Sequence, residues 1–579
     1  MSEPLLQIKN LNISFEANGS TNKAITDINI TVNNGEIVAI VGESGSGKSV
    51  TSLSILQLIP SPPIKYESGE ILLTTNGETV DILQLSKDAF TKIRGNKVAM
   101  IFQEPMTSLN PVLTCGDQVM EAILLHKNCS KEAAKTTTMA LFEQVQLPNP
   151  ETLFHRYPHQ ISGGQKQRVM IAVAMSCEPD LLICDEPTTA LDVTVQKNVL
   201  HLLKQLQQQT QMGIIFITHD LGVVAEIADK VVVLYKGNIV EENTVANIFI
   251  NAQHPYTKAL LACRPILHKK GERLPLVSDF MSEKQVTSYQ LPVTSNDQQT
   301  TSNQKPVTSN RQRATLLSVK NLKIYFPAKK TFLGKVLDYN KAVDDVSFDV
   351  YEGETLGLVG ESGCGKSTLG RTLLRLIDAT SGSIIYKGEN LIEIANTQLK
   401  ILRKDMQIIF QDPYSSLNPR LTIGEAIAEP LLVHNIITNA KARKEHVIEL
   451  LEKVSLSADH YNRYPHEFSG GQRQRIVIAR ALALQPSFIV CDESVSALDV
   501  SVQAQVLNLL NDLKKDFGFT AIFISHDLSV VRYISDRIMV MNKGKIEEIG
   551  AAEQVYHHPS SSYTKKLIAS IPKGFDVSA

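Results

Sequence analysis

Two stretches of the sequence share the pattern Gly-x-x-x-x-Gly-Lys-Ser, which is typical of loops that bind the phosphates of a nucleotide. The first reads GESGSGKS from Gly42, and the second reads GESGCGKS from Gly360. In such a loop the glycines let backbone N–H groups turn toward phosphate oxygens, the lysine reaches the β- and γ-phosphates, and the serine hydroxyl binds Mg²⁺. Because each stretch follows a short apolar run, we predict two phosphate loops rather than two glycine-rich turns. The predicted nucleotide-binding residues in these stretches are Gly42, Ser44, Gly45, Gly47, Lys48, Ser49 and Val50 in the first, and Gly360, Ser362, Gly363, Gly365, Lys366, Ser367 and Thr368 in the second.

A nucleotide site also needs a carboxylate near the metal and a group that activates water. The apolar runs LLICDE and FIVCDE each end in two carboxylates, Asp185 with Glu186 and Asp492 with Glu493. At the carboxyl edge of a parallel sheet the aspartates would lie near Mg²⁺, and the glutamates are the candidate bases. Taken alone, two carboxylates after a strand more often form a solvated strand end. Their position downstream of a phosphate loop favours the catalytic interpretation.

These residues occur twice because the chain contains two copies of one unit. The offset between the copies is 318 residues at Lys48 and Lys366 and 307 residues at His219 and His526, so loops ahead of the later motifs absorb the difference. The matching segments are IKNLNISF with VKNLKIYF, FQEPMTSLNP with FQDPYSSLNP, and SGGQKQR with SGGQRQR. We therefore expect two folded halves of similar structure.

Alternating and apolar segments predict the elements that hold these residues. The alternation over Leu5–Phe15 and Ala24–Val32 predicts antiparallel strands. The apolar run at residues 37–41 predicts a buried strand that leads through the phosphate loop into a helix beginning near Lys48. Further core strands are predicted at residues 98–102, 181–184 and 214–217, with helices between them. The expected fold class is α/β, with a mainly parallel sheet in each half.

A polar stretch separates the two halves. Residues 282–313 are rich in Ser, Thr, Asn and Gln, and PVTSN occurs there twice. Such a composition cannot bury enough apolar surface to fold, so we predict a flexible tether that keeps one half near the other. An ordered surface loop is the alternative. The predicted domains are residues 1–275 and 315–579, each with a C-terminal extension, joined by a linker at residues 276–314.

Composition argues against several classes of protein. The 58 Lys and Arg residues nearly balance the 60 Asp and Glu residues, which argues against a strongly basic nucleic-acid binder. The apolar runs are far shorter than the roughly 18 residues of a membrane helix, and the N-terminus lacks the pattern of a secretion signal. The seven cysteines include no Cys-x-x-Cys pair, which argues against a disulfide framework and a clustered zinc site. We expect a cytoplasmic protein that does not cross a membrane by itself.

Together with three further motifs, the phosphate loops and the strands that end in Asp-Glu resemble the nucleotide-binding domains of ATP-binding-cassette (ABC) proteins. These motifs are a glutamine after a strand, the tetrapeptide SGGQ, and a histidine after another strand. SGGQ is the most diagnostic of them, since other families of P-loop ATPases lack it. The resemblance covers nearly all of both halves and implies two tandem domains, each with a RecA-like core, an antiparallel β subdomain and a helical subdomain. The residues concerned are Gln103 and Gln411, Ser162, Gly163, Gly164 and Gln165, Ser469, Gly470, Gly471 and Gln472, and His219 and His526.

The resemblance also implies that the two cassettes face each other head to tail. Each ATP would lie between the phosphate loop of one half and the SGGQ segment of the other. The start of a helix at SGGQ could stabilise a γ-phosphate through its N–H groups and dipole. Intramolecular pairing of the two halves would therefore build both ATP sites.

Each matched residue receives a role from the resemblance. Glu186 and Glu493 would polarise the attacking water, and His219 and His526 would contact the γ-phosphate. Phe15 and Phe326 would stack on adenine, with Tyr325 as an alternative in the second half. The implied contacts of Mg²⁺ are Ser49, Gln103, Asp185, Ser367, Gln411 and Asp492.

Longer segments narrow the resemblance to the ATP-binding subunits of bacterial dipeptide, oligopeptide and nickel importers. These segments are QEPMTSLNP with QDPYSSLNP, RYPHQISGGQ with RYPHEFSGGQ, and the tails HPYTKALL with HPSSSYTKKLI. The fusion of two cassettes in one chain resembles the arrangement in the glutathione and microcin C importers of that family. The resemblance implies an ATPase at the cytoplasmic face of the bacterial inner membrane, docked on two integral-membrane permeases and supplied indirectly by an extracytoplasmic binding protein. Peptide is the leading substrate class, and no nucleic-acid partner is expected.

Several alternatives stay open from the sequence. A soluble twin-cassette ATPase that acts on ribosomes or DNA would also lack membrane segments, although the near-neutral charge and the uncharged tether argue against it. An exporter subunit is disfavoured by the importer-like segments. The tails could bind partners or cap the fold, and Cys364 could be a reactive thiol or a tolerated small residue. Some relatives carry a four-cysteine iron–sulfur cluster after the first cassette, whereas this chain has only Cys263 there, so we expect none.

Overall fold

The same arrangement of strands and helices occurs twice along the chain. The structure is a computed structural model that describes residues 4–17, 20–103, 108–189, 191–281, 313–330, 336–496, 498–572 and 574. Each half combines a mainly parallel sheet, an antiparallel sheet and a group of helices. The predicted α/β class and the two-unit organisation are confirmed.

A six-stranded sheet forms the centre of each half. In the first half its strands are β3 (Ile37–Val41), β6 (Val98–Ile101), β7 (Leu181–Asp185), β8 (Gly213–Thr218), β9 (Lys230–Tyr235) and β10 (Asn238–Thr244). In the second half they are β13 (Thr355–Val359), β16 (Met406–Ile409), β17 (Phe488–Asp492), β18 (Thr520–Ile524), β19 (Arg537–Asn542) and β20 (Lys545–Ala551). The order β10-β9-β3-β8-β7-β6 is repeated as β20-β19-β13-β18-β17-β16. Only the edge strands β10 and β20 pair antiparallel in these described sheets, so the carboxyl ends of the others meet at one edge.

A four-stranded antiparallel sheet packs beside each central sheet. Its strands are β1 (Leu6–Ala17), β2 (Ser20–Val32), β4 (Ile64–Thr75) and β5 (Glu78–Asp81), and then β11 (Thr315–Lys330), β12 (Val336–Tyr351), β14 (Ser381–Tyr386) and β15 (Glu389–Asn390). The order is β2-β1-β4-β5 in the first half and β12-β11-β14-β15 in the second. One face of each sheet closes over the buried strands that precede the phosphate loops.

Helices cover the sheets. A separate group of helices is formed by the chain that connects β6 to β7, and the chain from β16 to β17 forms a second such group. The first-half helices are α1 (Lys48–Ile55), α2 (Lys87–Thr91), α3 (Cys115–His126), α4 (Lys131–Gln144), α5 (Pro150–Phe154), α6 (Gly163–Met175), α7 (Val193–Thr210), α8 (Leu221–Ile227), α9 (Val245–Asn251), α10 (Pro255–Ala262) and α11 (Val277–Met281). The second-half helices are α12 (Lys366–Leu373), α13 (Asn396–Leu402), α14 (Ile423–Val433), α15 (Ala440–Lys453), α16 (Gly470–Leu482), α17 (Val500–Phe517), α18 (Leu528–Ile534), α19 (Ala552–His557) and α20 (Ser562–Ala569). Among the residues described, we find no helix whose length and apolar character would let it span a bilayer.

The extension that follows α10 packs on the second half of the chain. Leu274 is fully buried there, its N–H donates to Asn508 Oδ1 at 3.0 Å, and its carbonyl accepts from Asn508 Nδ2 at 2.8 Å. Tyr533 Oη donates to the carbonyl of Glu272 at 2.6 Å, and Lys270 Nζ lies 2.7 Å from Asp536 Oδ1. The halves are therefore joined by specific contacts remote from the phosphate loops.

The linker predicted at residues 276–314 begins with ordered chain. Its first residues form α11, and Val277 packs against the apolar core. The polar tether predicted at residues 282–313 lies outside the described residues, apart from Arg313.

We predict that Asn508→Ala frees the extension from the second half. The substitution leaves the N–H and carbonyl of Leu274 without their partners, and each buried unpaired group costs about 1–3 kcal/mol. Hydrogen exchange of the Leu274 amide, measured by mass spectrometry on the full chain, should accelerate roughly tenfold or more. Asn511→Ala is the matched control, since Asn511 Nδ2 donates to Tyr533 Oη, at 3.4 Å, and not to Leu274. Equal exchange in both variants would contradict the prediction.

Candidate active sites

Each phosphate loop is pressed against the edge of its central sheet. A Cβ at Gly42 would lie 2.3 Å from the carbonyl oxygen of Leu234, and one at Gly360 would lie 2.2 Å from that of Met541. A side chain cannot fit at such distances, so glycine is required where the loop passes the neighbouring strand. The loops lead into α1 and α12, as the sequence predicted.

The loop lysines are buried and fold back onto their own loops. Lys48 Nζ donates to the carbonyls of Gly42 and Glu43 at 2.7 and 2.8 Å. Lys366 Nζ donates to the equivalent carbonyls at 2.8 and 3.0 Å. Burial lowers the pKa of Lys48, although the charges of Asp499 and Glu186 oppose that shift. Each ammonium group is therefore held inside the curve of its loop.

The serine after each lysine faces the aspartate that ends a buried strand, β7 in the first half and β17 in the second. Ser49 Oγ lies 3.5 Å from Asp185 Oδ1, and Ser367 Oγ lies 2.7 Å from Asp492 Oδ1. Burial, followed by the charge of Glu186, raises the pKa of Asp185 to about 6. These hydroxyl and carboxylate oxygens are the ligand type that Mg²⁺ prefers.

A cluster of polar side chains surrounds Glu186. Gln103 Nε2 donates to its Oε2 at 2.8 Å, Thr189 Oγ1 donates to the same oxygen at 3.0 Å, and His219 Nδ1 lies 3.1 Å from Oε1. Burial opposes ionisation of Glu186, but the hydrogen bond and charge of His219, aided by Thr189 and Lys48, outweigh it and lower its pKa to about 2. The carboxylate of Glu186 is thus anionic, and polar partners on both of its oxygens hold it in one orientation.

The second half assembles a similar cluster around Glu493, in which Ser496 replaces Thr189 and donates to the backbone carbonyl of Glu493 at 2.9 Å. Gln411 Nε2 donates to Glu493 Oε2 at 2.9 Å, and His526 Nδ1 lies 3.5 Å from that oxygen. Burial again opposes ionisation, and the histidine outweighs it, so the pKa of Glu493 is lowered. Both glutamates also hold positive φ angles, 47° for Glu186 and 50° for Glu493. Such backbone strain in a non-glycine residue is characteristic of functional sites.

Each SGGQ segment starts a helix, as the sequence predicted. Ser162 Oγ accepts from the N–H of Gln165 at 3.3 Å, and Gln165 Oε1 accepts from the N–H of Ser162 at 3.0 Å. Ser469 and Gln472 form the same pair at 3.4 and 3.1 Å. This capping box fixes the first turn of each helix, and the serine and first glycine of each segment are exposed to solvent.

The glycines of the SGGQ segments differ in what surrounds them. A Cβ at Gly163 or Gly470 would meet nothing within 4 Å. A Cβ at Gly164 or Gly471 would lie 2.8 or 2.3 Å from a valine of the following helix. The first glycine therefore presents open backbone, and the second allows close helix packing.

Each phosphate loop contacts a residue of the other half. The N–H of Ser44 donates to Asp499 Oδ2 at 2.8 Å. At the opposite site Asp192 caps its own helix, and Thr194 Oγ1 donates to Glu361 Oε1 at 2.7 Å. The two sites are thus built from both halves but are not identical.

The second site also contains a cation near its aspartate. Arg371 Nη2 lies 3.3 Å from Asp492 Oδ2, while the equivalent position in the first half is Leu53. A guanidinium near this carboxylate changes its local charge in one half only. The identical motifs therefore stand in different electrostatic surroundings.

The residues predicted to stack on adenine differ in exposure. Phe15 is half-buried against the core of its antiparallel sheet, whereas Phe326 is 40% exposed. The hydroxyl of Tyr325, the alternative in the second half, donates to Asp344. An exposed ring is free to contact a ligand, so Phe326 stays the better candidate in that half.

Two tyrosines of the C-terminal extensions contact the phosphate loops. These contacts were not predicted from the sequence. The hydroxyl of Tyr256 accepts from the N–H of Glu43 at 2.9 Å, and that of Tyr563 accepts from the N–H of Glu361 at 3.2 Å. The repeated Tyr-Thr-Lys in the two tails was the available signal. Each tail therefore stabilises the phosphate loop of its own half through a hydrogen bond to the loop backbone.

Cys364 lies inside the second loop and is 5% exposed. Burial raises its pKa, despite the opposing charge of Lys366, whose Nζ lies 3.8 Å from Sγ. This environment favours the interpretation as a small loop residue over that as a reactive thiol.

Comparison with known families matches most of this architecture. Residues 25–189 and 343–496 match the family described as "ABC transporter". Residues 240–284 and 548–575, which contain the two tyrosine-bearing tails, match the "Oligopeptide/dipeptide transporter, C-terminal region". Both halves therefore contain both modules.

Curated relatives match nearly the whole chain. The glutathione import ATP-binding protein GsiA of Escherichia coli (strain K12) is 49% identical over 574 residues, covering 98% of this chain and 89% of the relative. The GsiA protein of Pectobacterium atrosepticum is 46% identical over 570 residues with the same coverage. A solved dimeric ATP-binding cassette in a post-hydrolysis state with ADP and Pi is 28% identical, covering 41% of this chain and 98% of its own, with a TM-score of 0.37.

These matches span both halves and agree with the resemblance that the motifs indicated. Two segments fit the family description, and full-length relatives share almost half of their residues with this chain. The chain therefore belongs to the ABC transporter family, as an ATPase that carries two ATP-binding cassettes.

Proposed function

We propose that this chain is the ATP-hydrolysing subunit of an importer for glutathione or a chemically similar short peptide. The observation that carries the proposal is the 49% identity to glutathione import ATP-binding proteins over 98% of the chain. The oligopeptide/dipeptide transporter region in both halves supports the peptide class. In this proposal the cassettes bind nucleotide, and the membrane partners select the transported molecule.

As an ABC transporter ATPase, the chain works with membrane permeases. We propose two permease subunits, one for each cassette, and an extracytoplasmic binding protein that delivers substrate to them. The chain would then be a peripheral protein at the cytoplasmic face of the bacterial inner membrane. Closing and reopening of the two halves would drive alternating access in the permeases.

In the proposed hydrolysis, each ATP lies between a phosphate loop and the SGGQ segment of the opposite half. Glu186 accepts hydrogen bonds from Gln103 and Thr189 and lies beside His219, so it is held as an anion that can polarise water. His219 would contact the γ-phosphate. Glu493 and His526 would do the same in the other site. The contact of Asp499 with the Ser44 amide supports this crossed arrangement.

The oxygen-rich surroundings of the first loop suit a magnesium ion. Ser49, Asp185 and Gln103 would hold it in the first half, and Ser367, Asp492 and Gln411 in the second. The bound ion would neutralise charge on the β- and γ-phosphates. The chain's part is to orient the oxygen ligands, which the serine–aspartate contacts already do.

We predict that Glu186→Gln combined with Glu493→Gln abolishes most hydrolysis but leaves ATP binding intact. The amide keeps the shape of the carboxylate but cannot act as a base, and such a base typically contributes about 10²–10⁴-fold. Phosphate release and nucleotide affinity of the purified chain should be measured together. Each single substitution is the control for the other site, and normal turnover in the double variant would rule out these glutamates as bases.

We predict that Tyr256→Phe weakens ATP binding at the first site. The N–H of Glu43 loses its acceptor, so the loop is held less firmly in the shape that binds phosphate. An unpaired N–H costs about 1–3 kcal/mol, so affinity should fall by at least about fivefold. Titration calorimetry in the Glu186→Gln and Glu493→Gln background would measure it. Tyr235→Phe is the matched control, because its ring lies 4.3 Å from that of Tyr256, centroid to centroid. Equal affinities in the two variants would contradict the support role.

We predict that the tagged chain, purified from detergent-solubilised membranes, retains two multi-span permeases. Mass spectrometry of the bound proteins is the measurement, and transport of labelled glutathione by vesicles containing the complex tests the substrate. A chain with Glu186→Gln and Glu493→Gln should bring the same permeases but transport nothing. Ribosomal or DNA-repair proteins in place of permeases would overturn the importer proposal and leave only the ATPase.

A further inference from the structure

A cavity of about 140 Å³ lies between the two halves, beside both candidate catalytic histidines. Its lining includes His219 and Asp220 from the first half and His526 and Asp527 from the second. The offset of 307 residues that relates the histidines also relates the aspartates. The cavity is therefore the place where equivalent turns of the two halves meet.

The two aspartates in this cavity are held by their own helices. Asp220 Oδ1 accepts from the N–H of Gly222 at 2.7 Å, and Asp527 Oδ1 accepts from the N–H of Ser529 at 2.8 Å. Burial raises the pKa of Asp527; the hydrogen bond from Ser529 and the charge of His526 oppose that shift, while the charge of Asp220 across the seam adds to it. Two carboxylates that cannot turn away thus repel each other where the halves join.

Arg264 lines the same cavity as both aspartates. It comes from the extension of the first half, lines the cavity and is only 9% exposed. Burial lowers its pKa, whereas the charges of Asp220 and Asp527 both raise it. A buried guanidinium remains charged and requires nearby carboxylates.

The guanidinium fits because its neighbours are small. A Cβ at Gly222 would lie 3.1 Å from Arg264 Nη2, and a Cβ at Gly574 would lie 2.8 Å from Nη1. Gly222 belongs to the first half and Gly574 to the end of the second. The arginine therefore reaches across the seam between glycines of both halves.

The second half has no matching cation at the equivalent position. The offset of 307 residues places Ile571 opposite Arg264 and Ser529 opposite Gly222. Ile571 is buried and lines the same cavity. One arginine thus faces two aspartates in a nearly symmetric seam.

We propose that Arg264 is a positioning residue that couples the two ATP sites by holding the Asp220 and Asp527 turns together when the halves close. Each aspartate directly follows a histidine predicted to contact a γ-phosphate, so a shift of one turn moves its histidine. Without Arg264 the two carboxylates of the cavity oppose closure, because no guanidinium lies near them to offset their charge. The inference rests on the proposed roles of the histidines but not on the permeases or the transported molecule.

The test is the ATP dependence of hydrolysis by the purified full-length chain. Wild-type chain should show a Hill coefficient of about 2, since two nucleotides act on one closure. Arg264→Ile should bring the coefficient to about 1 and raise the half-maximal ATP concentration at least about tenfold. Arg264→Lys keeps the charge and should stay within about threefold of wild type.

Two further variants separate coupling from a structural role. Arg273→Ile removes another arginine of the same extension, which pairs with Asp512 across the halves at 2.9 Å but is 67% exposed, so it should leave the coefficient unchanged. A transfer variant combines Arg264→Ile, Ile571→Arg and Ser529→Gly. It places the arginine on the other side of the same aspartates with room for its guanidinium, and should restore cooperativity.

Several results would overturn the inference. They are wild-type cooperativity in Arg264→Ile, a non-cooperative wild-type chain, or a loss of cooperativity that the transfer variant does not reverse. A lowered melting temperature of Arg264→Ile with an unchanged Hill coefficient would show a structural role only. None of these results bears on the glutamate bases or the permeases, so failure here leaves the proposed function standing.

Discussion

The close approach between each phosphate loop and the neighbouring strand is the constraint on which both sites depend. At Gly42 and Gly360 a Cβ would lie within about 2.3 Å of a carbonyl oxygen of that strand, so the backbone itself makes the contact. This contact fixes where the loop lysine, the following serine and the strand-ending aspartate stand relative to one another. The extension tyrosines then support the same loops from outside, through the amides of Glu43 and Glu361.

Duplication produced two sites with the same motifs but different surroundings. Arg371 lies beside the aspartate of the second half, where the first half has Leu53. Asp499 contacts the first loop, whereas Asp192 caps its own helix, and the position equivalent to Arg264 in the second half is Ile571. All three differences change the charge near a candidate site, and Asp492 and Arg264 are themselves buried, where electrostatic interactions are strong. The halves therefore share one fold but provide two electrostatically distinct nucleotide sites, joined by a seam and by the packed extension.

Much of the site could be predicted because its residues are clustered in short motifs. The loops, the strands ending in Asp-Glu and the SGGQ helix starts all follow from local pattern, and the structure has them where the sequence indicated. The hydrogen bonds around Glu186 could not be predicted in the same way, because Gln103, Thr189 and His219 come from three separate segments. The positive φ of both glutamates likewise depends on the surrounding sheet and not on the residue itself.

The fold class, the duplication and the chemistry of the two sites follow from the amino-acid sequence, since periodicity and short motifs act over a few residues. The distant partners become evident only in the folded chain, where Tyr256 contacts the first loop, Asn508 contacts Leu274, and Arg264 shares a cavity with two aspartates from different halves. Such pairs are separated by tens to hundreds of residues, and nothing in the local sequence marks one partner for the other. They arise from packing two folded halves and their extensions against each other, which places buried polar groups where only particular partners can satisfy them.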